Sequence, residues 1–230
     1  MTAAEAGAKG AALVVAIDGP SGSGKSSVAR LVAQRLGYLY LDTGAMYRAV
    51  GVLAAEAGVS PDDESAVVDV AGLARLRFTD DGGLYAGQRD LSEAIRTLEA
   101  GELASRVSVL PGVRRLLVDE QRALARERGV VMEGRDIGTN VFPGAAVKVY
   151  LTASPEVRAG RRFRELAAGG SRVTLEEVLL SVVERDRRDS ERAVAPLRRA
   201  ADAVVVDTTH MSLAEVVTTV EDIARRRLGL

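Results

Sequence analysis

The sequence lacks cysteine altogether and has only three lysines, Lys9, Lys25 and Lys148, and one histidine. The absence of cysteine excludes disulfide bonds, zinc sites with thiolate ligands and a cysteine nucleophile, and it fits a cytoplasmic location. No apolar run reaches the roughly 18 residues of a membrane-spanning helix, so we expect no membrane partner. The net charge of −1 gives no sign of a general polyanion binder, so we expect no nucleic-acid partner.

The length predicts a single domain. The chain has 230 residues, which is long for one ordinary domain and short for two. Residues 1–10 contain Glu5 and no apolar core segment, so we interpret them as a flexible tail rather than a secretory signal. We therefore expect one domain over residues 11–230, built on one core with an elaboration, and we expect a monomer.

Short apolar runs alternate with segments of helical periodicity along most of the chain. The predicted strands are 13–17, 39–41, 130–133, 147–151 and 203–207, and a small hairpin pairs 76–78 with 84–86. The predicted helices are 26–36, 44–57, 61–74, 92–109, 111–128, 153–168, 174–191 and 212–227, the last two opening on capping boxes at Thr174 and Ser212. Because most of the strands are almost continuously apolar, we predict an α/β fold with a parallel sheet covered on both faces.

The segment after the first predicted strand matches the phosphate-binding pattern G-x-x-x-x-G-K-[ST] at every position. Its glycines allow backbone N–H groups to surround phosphates, Lys25 reaches the β- and γ-phosphates, and the hydroxyl of Ser26 ligates Mg²⁺. The predicted ATP-binding residues of this loop are Gly19, Pro20, Ser21, Gly22, Ser23, Gly24, Lys25, Ser26 and Ser27. A GTPase is not supported, because the only asparagine, Asn140, precedes Val141 instead of a guanine-reading lysine.

Two acidic residues end apolar runs and are candidates to support Mg²⁺. Glu133 follows Val-Val-Met, and Asp207 follows Val-Val-Val. Either carboxylate can instead cap its strand, and the sequence does not choose between them.

Three further segments carry distinctive motifs: LDTGAMYR at 41–48, EGRDIGT at 133–139 and ERDRRDSERAVAPL at 184–197. Together with the GPSGSGKSS loop they resemble the bacterial cytidylate kinase family, from about residue 13 to the end of the chain. The Asp-Gly-Phe-Pro-Arg segment usual in adenylate kinases and the Asp-Arg-Tyr segment usual in thymidylate kinases are both absent.

The resemblance implies a P-loop nucleoside-monophosphate-kinase-like fold. This fold has a five-stranded parallel sheet with helices on both faces, an inserted acceptor-binding subdomain at about 60–110 and a short mobile lid at about 161–173. The resemblance also implies transfer of the γ-phosphoryl group of ATP to CMP or dCMP, with Mg²⁺ as cofactor and small-molecule nucleotides as the partners.

The resemblance also implies roles for individual residues in the acceptor site. By this resemblance, Thr43, Arg48, Arg135 and Arg192 bind the acceptor phosphate, and Tyr47 lies beside the nucleotide. Arg185 and Asp189 bind the sugar. Ser105, Arg114 and Asp136 bind the base. The predicted catalytic residues are Lys25, Arg135, Arg185 and Arg192. Serine is also common in the family at the place of Thr43, and aspartate at that of Glu133.

Residue spacing supports part of this assignment. On one helix, Arg185, Arg188, Asp189 and Arg192 share a face. The simpler alternative is a surface salt bridge between Arg185 and Asp189, which would contribute only tenths of a kcal/mol.

Two further interpretations stay open at this stage. Arg161 and Arg162 either clamp the ATP phosphates at the start of the lid or are solvated helix residues. Asp136 either reads the base or only orients Arg135 through a salt bridge.

Two other kinds of function remain as alternatives. One is a different small-molecule P-loop kinase, such as a shikimate or dephospho-coenzyme A kinase, which phosphorylates a hydroxyl group and gains from a base beside the acceptor. The other is a non-catalytic nucleotide-dependent binding module. A phosphate acceptor, by contrast, is largely dianionic at pH 7, so it needs cations to hold it rather than a strong base.

Overall fold

The computed structural model describes residues 13–79, 82–126 and 128–230, so the tail predicted over residues 1–10 lies outside the described residues. The strands are β1 (Val14–Asp18), β2 (Leu39–Asp42), β3 (Leu76–Phe78), β4 (Leu84–Ala86), β5 (Arg89–Asp90), β6 (Val130–Gly134), β7 (Val147–Thr152) and β8 (Val204–Asp207). The α-helices are α1 (Lys25–Leu36), α2 (Thr43–Glu56), α3 (Glu64–Ala74), α4 (Leu98–Val107), α5 (Pro111–Leu124), α6 (Pro155–Ala168), α7 (Leu175–Glu191) and α8 (Leu213–Leu228). None of the helices in these ranges is long and apolar enough to cross a bilayer.

The central sheet has five strands in the order β2-β6-β1-β7-β8, and all neighbouring strands are parallel. Every residue of β1 and β6 is buried, because helices cover both faces. On one face β1 packs against α1 and α8, and on the other it packs against α5 and the segment that follows β6. The predicted five-stranded parallel sheet is confirmed.

The parallel arrangement brings several polar segments to one edge of the sheet. The phosphate-binding loop follows β1, Thr43 follows β2, and Arg135 with Asp136 follows β6. In open α/β sheets ligands bind beyond the carboxyl ends of the strands, and the polar segments of this chain lie at that edge.

A second, antiparallel sheet of order β3-β4-β5 lies within residues 60–110. The predicted hairpin is confirmed with its register, since Leu76 lies opposite Ala86 and Phe78 opposite Leu84. The two-residue strand β5 was not predicted, because a strand of that length has no periodicity to detect. Residues 60–110 pack against the rest of the domain through the contact between α4 and α2.

The prediction of a single helix over 92–109 is wrong. A short 3₁₀ turn, Ala94–Arg96, precedes α4, and Thr97 between them is extended (ψ 162°). The hydroxyl of Thr97 accepts a hydrogen bond from the backbone N–H of Ala100 at 3.0 Å. Thr97 is therefore an N-cap, a role that threonine favours over a place inside a helix.

Other helix boundaries differ in smaller ways. The helix predicted from residue 61 begins at Glu64, since the side chain of Asp63 caps it on Ala66 N. Both predicted capping boxes are confirmed, at Thr174 and at Ser212. A π-helical turn, Ile137–Val141, follows β6 and was not predicted.

Candidate functional site

The phosphate-binding loop owes its shape to its glycines. Gly22 and Gly24 have positive φ angles of 74° and 92°, and Gly24 is the N-cap of α1. At Gly19 a Cβ atom would lie 2.0 Å from the carbonyl oxygen of Leu151, which no side chain could tolerate. The loop can therefore be built only with glycine at its tight positions.

Lys25 is the first residue of α1 and is buried at this loop. Its Nζ donates to the carbonyl of Pro20 at 2.7 Å and lies 3.5 Å from Ser23 Oγ. Burial lowers the pKa of Lys25, and the charge of Arg135 lowers it further, whereas Glu133 acts in the opposite direction. Lys25 thus lies in an environment short of negative charge, which an anionic ligand would supply.

One cavity of 1430 Å³ joins this loop to the acceptor region. All the residues predicted for the acceptor line it, namely Thr43, Tyr47, Arg48, Ser105, Arg114, Arg135, Asp136, Arg185, Asp189 and Arg192. Ser21 to Ser27, Arg161 and Arg162 also line it. Gly19 and Pro20 do not; their carbonyl groups accept hydrogen bonds from Arg135 and Lys25.

At the acceptor end, a buried carboxylate lies among cations. Asp136 is 6% exposed, and one of its oxygens accepts hydrogen bonds from Arg114 and from the amide of Asn140. Its other oxygen lies 3.6 Å from a guanidinium nitrogen of Arg192. The guanidinium of Arg114 also lies 5.6 Å from the ring centroid of Tyr47. Asp136 is thus paired with Arg114, and the alternative salt bridge from Asp136 to Arg135 is not formed.

Hydrogen bonds join the start of α2 to the end of β6, the strand that leads to Asp136. The hydroxyl of Thr43 donates to the carbonyl oxygen of Glu133 at 2.8 Å. Asp42 caps α2 through Ala45 N at 3.0 Å and pairs with Arg48 at 2.7 Å. These contacts fix the start of α2 beside the residues that follow β6.

Helix α7 presents part of its predicted face to the cavity. Asp189 pairs with Arg135 at 2.9 Å, and no Arg185–Asp189 salt bridge occurs among the described residues. Arg185 Nε and one terminal nitrogen of Arg192 are buried without a hydrogen-bond partner in the described part of the chain. Burial lowers the pKa of Arg185 to about 10, and the neighbouring Arg135 adds to the effect. Arg188 differs from the prediction, since it is exposed and does not line this cavity.

The residues near Ser26 fit a Mg²⁺ ion carried with ATP. Glu133 lines the cavity and is hydrogen-bonded by Ser26 and, at 2.5 Å, by the hydroxyl of Tyr40. Asp207 is exposed and is bonded to Thr209 instead. One carboxylate and one hydroxyl suit Mg²⁺, since it is usually held by one or two carboxylates together with substrate phosphates and water.

The two arginines at the start of the predicted lid differ in their contacts. Arg161 donates to the hydroxyl and the carbonyl oxygen of Thr208, at 2.9 and 2.8 Å. Arg162 pairs with Glu165 at 3.1 Å, and its side chain is 34% exposed. A terminal nitrogen of Arg161 lies 3.8 Å from where a Cβ atom on Gly24 of the loop would be, whereas Arg162 lines the cavity and its charge acts on Arg185.

Sequence reasoning missed several residues that shape the site without being named in a motif. Asp18, the last residue of β1, accepts hydrogen bonds from the backbone N–H groups of Ile137 and Gly138 at 2.8 and 2.7 Å. Tyr40 holds Glu133, and Thr208 joins the lid to the loop by donating to Ser23 O at 3.3 Å. For Asp18 a signal did exist, since a carboxylate ends an otherwise apolar strand immediately before the loop.

Comparison with known proteins places the chain among related enzymes. The family model described as "Cytidylate kinase" matches residues 15–226. The chain is 47% identical over 220 residues to the cytidylate kinase of Geobacter sp. (strain M21), with 94% of each chain covered. It is 50% identical over 206 residues to the cytidylate kinase of Methylococcus capsulatus (strain Bath), covering 89% of this chain and 93% of the relative.

Proposed function

The chain belongs to the cytidylate kinase family, and we propose that it transfers the γ-phosphoryl group of ATP to CMP or dCMP, forming ADP and CDP or dCDP. The observation that carries this proposal is the single cavity that joins the phosphate-binding loop to a cluster of arginines and a buried carboxylate. A kinase for a phosphate acceptor needs two anions held in line against their repulsion. The cavity offers cations at both ends.

On the donor side, the backbone N–H groups of the loop and the amino end of α1 hold the phosphates of ATP. Lys25 gives up its contact with Pro20 and donates to the β- and γ-phosphates. Ser26 and Glu133 would hold Mg²⁺, which would supply positive charge to the transferred group when bound. Arg161 and Arg162, which line the same cavity, stabilise this charge from the predicted lid.

On the acceptor side, the arginines with spare donors receive the phosphate of CMP. Arg185 Nε and Arg192 Nη2 are buried and make no hydrogen bond in the described structure, although Arg192 Nη2 lies 3.6 Å from an oxygen of Asp136. Arg48 and Arg135 line the same space. A largely dianionic acceptor needs no base to activate it. The arginines therefore act by position and by charge, as expected for phosphoryl transfer.

The base is read by Asp136 and Arg114. Cytosine offers an exocyclic amine as a donor and N3 with O2 as acceptors, whereas uracil has a carbonyl in place of the amine and a donor at N3. A carboxylate accepts from the amine, and a guanidinium donates to N3 or O2. Asp136 and Arg114 form an ion pair with each other, and Ser105 lies at the same end of the cavity.

An assay of ADP release with a panel of acceptors tests the proposal directly. CMP and dCMP should support turnover, and UMP, AMP, dTMP and shikimate should support much less. Turnover with shikimate but not with CMP would contradict the proposal and favour a hydroxyl-directed kinase. ATP binding without turnover of any acceptor would favour a binding module.

A further inference from the structure

Helix α7 is joined to the phosphate-binding loop by two arginine bridges. The first belongs to the cavity itself. Arg135 donates through Nε to the carboxylate of Asp189 and through a terminal nitrogen to the carbonyl of Gly19, each at 2.9 Å. The guanidinium of Arg135 thus binds the loop through one nitrogen and α7 through another.

The second bridge lies outside the cavity. Arg158, near the start of α6, donates to the carbonyl of Ser21 at 3.1 Å and to that of Ala153 at 2.9 Å. Its guanidinium also pairs with the carboxylate of Asp186 on α7 at 2.6 Å. Neither Arg158 nor Asp186 lines the cavity, so neither is placed to touch a nucleotide.

The second bridge is built from buried groups in close contact. The side chain of Arg158 is 4% exposed and that of Asp186 is 23% exposed. A Cβ atom on Gly22 would lie 3.0 Å from the backbone oxygen and 3.1 Å from the Cβ of Arg158, so the loop rests directly on α6. A movement of α6 or α7 at this point must therefore move the loop with it.

The two carboxylates of these bridges lie one turn apart on the same helix, at positions 186 and 189. Helix α7 also carries Arg185 and, at its C-cap, Arg192, which line the acceptor end of the cavity. Against the effect of burial, the pKa of Arg135 is raised chiefly by Asp189 and to a smaller extent by Glu133 and Asp186. Displacement of α7 on acceptor binding would thus shift the phosphate-binding loop through both bridges.

We propose that Arg158 and Asp186 are positioning residues that couple the donor site to the acceptor site, so that occupation of one raises affinity for the other. The inference rests on the proposed function, because CMP is the acceptor used to test it. Coupling between two sites is a measurable ratio of affinities and is reciprocal by thermodynamic necessity.

The experiment measures binding by calorimetry. The Kd of CMP is determined with and without a saturating non-hydrolysable ATP analogue, and the Kd of the analogue with and without saturating CMP. In the wild type, each ligand should tighten the other by about 5-fold or more, within the usual range of such coupling. Arg158→Lys, which keeps the charge, and Asp186→Asn, which keeps the size, should each lower this factor by about half or more, the Arg135 bridge carrying what remains, while each ligand alone binds nearly as before.

A matched control lies on the same helix. Arg187 and Glu191 form an exposed pair at 2.9 Å, with side chains 61% and 63% exposed, so Arg187→Ala and Glu191→Gln should leave the coupling factor unchanged. The double variant Arg158→Lys with Asp186→Asn should lose no more coupling than either single variant, since both act through one contact.

Several outcomes would overturn the inference. One is that the wild type shows no coupling, and another is that the variants keep the wild-type coupling factor. The third is that the variants weaken the binding of each ligand alone as much as they weaken it in the ternary complex. Thermal melting identifies any variant that does not fold, and the other variant then decides. A wild type that fails to bind CMP contradicts the proposed function as well, whereas CMP turnover with unchanged coupling in the variants contradicts this inference alone.

Discussion

At the scale of single residues, the cavity holds more positive charge than its own acids neutralise. The pKa of Lys25 and that of Arg185 are both lowered, chiefly by burial and then by the neighbouring charge of Arg135. Such cations are costly in the free protein and become favourable when phosphate groups enter. The free energy that ligand binding recovers here is available for holding the two substrates together.

Replacing Lys25 by alanine should therefore affect chemistry more than folding. The side chain of Lys25 makes its hydrogen bonds within its own loop, to Pro20 and Ser23, and no direct ion pair within the described part of the chain balances its buried charge. We expect kcat with CMP to fall by about 100-fold or more, as for the loss of a transition-state charge contact, with the melting temperature nearly unchanged. Near-normal turnover in the folded variant would refute the role of Lys25.

Lys148, the other lysine that the structure describes, provides a control for the Lys25 substitution. Lys148 is buried, pairs with Asp202 at 2.8 Å and does not line the cavity. Lys148→Met should lower stability and have much less effect on kcat than Lys25→Ala.

The selectivity for cytosine should depend on Asp136. We expect CMP to exceed UMP in kcat/KM by about 100-fold or more, because a mismatched base leaves buried polar groups unpaired. Asp136→Asn should narrow that gap, since an amide can turn its NH₂ group toward the uracil carbonyl. The measurement is kcat/KM for both nucleotides with each protein. If Asp136 only holds Arg114 in place, both values fall by similar factors and their ratio stays constant.

At the scale of elements, local signals predicted most boundaries and tertiary contacts decided the rest. The strands β1 and β6 were found from their apolar runs and β7 from a run interrupted by Lys148, and the capping boxes fixed the starts of α7 and α8. The break at Thr97 was missed because the residues on both sides have helical composition. Likewise, nothing local distinguishes Arg114 from Arg135 as the partner of Asp136, since that choice depends on how α5 lies against β6.

The contact between α2 and α4 offers a prediction at this scale. A Cβ atom on Gly51 would lie 2.7 Å from the Cβ of Leu103 and 3.1 Å from its backbone carbon, so Gly51→Ala must separate the two helices. We expect a loss of about 1 to 3 kcal/mol in the free energy of unfolding, typical of overpacking. Denaturant titration measures it.

Gly160 in α6 is the matched control. A Cβ atom there would meet no atom within 4 Å, and alanine is the better helix former. Gly160→Ala should raise stability by about 0.5 to 1 kcal/mol. If Gly51→Ala also raised stability, the α2–α4 contact would have room for a methyl group and the prediction would be wrong.

At the scale of the whole molecule, the order of the strands explains why distant segments form one site. The carboxyl ends of β1, β2 and β6 meet at one edge because these strands are parallel neighbours. The parallel sheet predicted from the sequence implies such an edge, because the carboxyl ends of parallel strands lie together. The sequence did not predict Asp18, whose hydrogen bonds tie the end of β1 to Ile137 and Gly138 across the sheet.

Asp18 should give the stability of the whole molecule a dependence on pH. The pKa of this carboxyl is raised from 3.8 to about 6, mainly by burial and also by the charge of Asp136, against the effects of the two backbone N–H groups and of Lys25. The native state then binds a proton more tightly than the unfolded chain does. Stability from this group is therefore greatest below pH 4 and is lost as the pH rises through about 6.

Asp18→Asn should abolish this dependence. Between pH 4.5 and 7.5, the free energy of unfolding of the variant relative to the wild type should shift in favour of the variant by about 2 kcal/mol. Comparing this difference at two pH values cancels the constant cost of losing one N–H acceptor in the amide. Asp202→Asn is the control, because the pKa of Asp202 is lowered by Lys148 and its contribution is nearly complete at pH 4.5. If the Asp18→Asn difference is the same at both pH values, then Asp18 is ionised throughout this range, and its charge is held by the two N–H groups more strongly than burial opposes it.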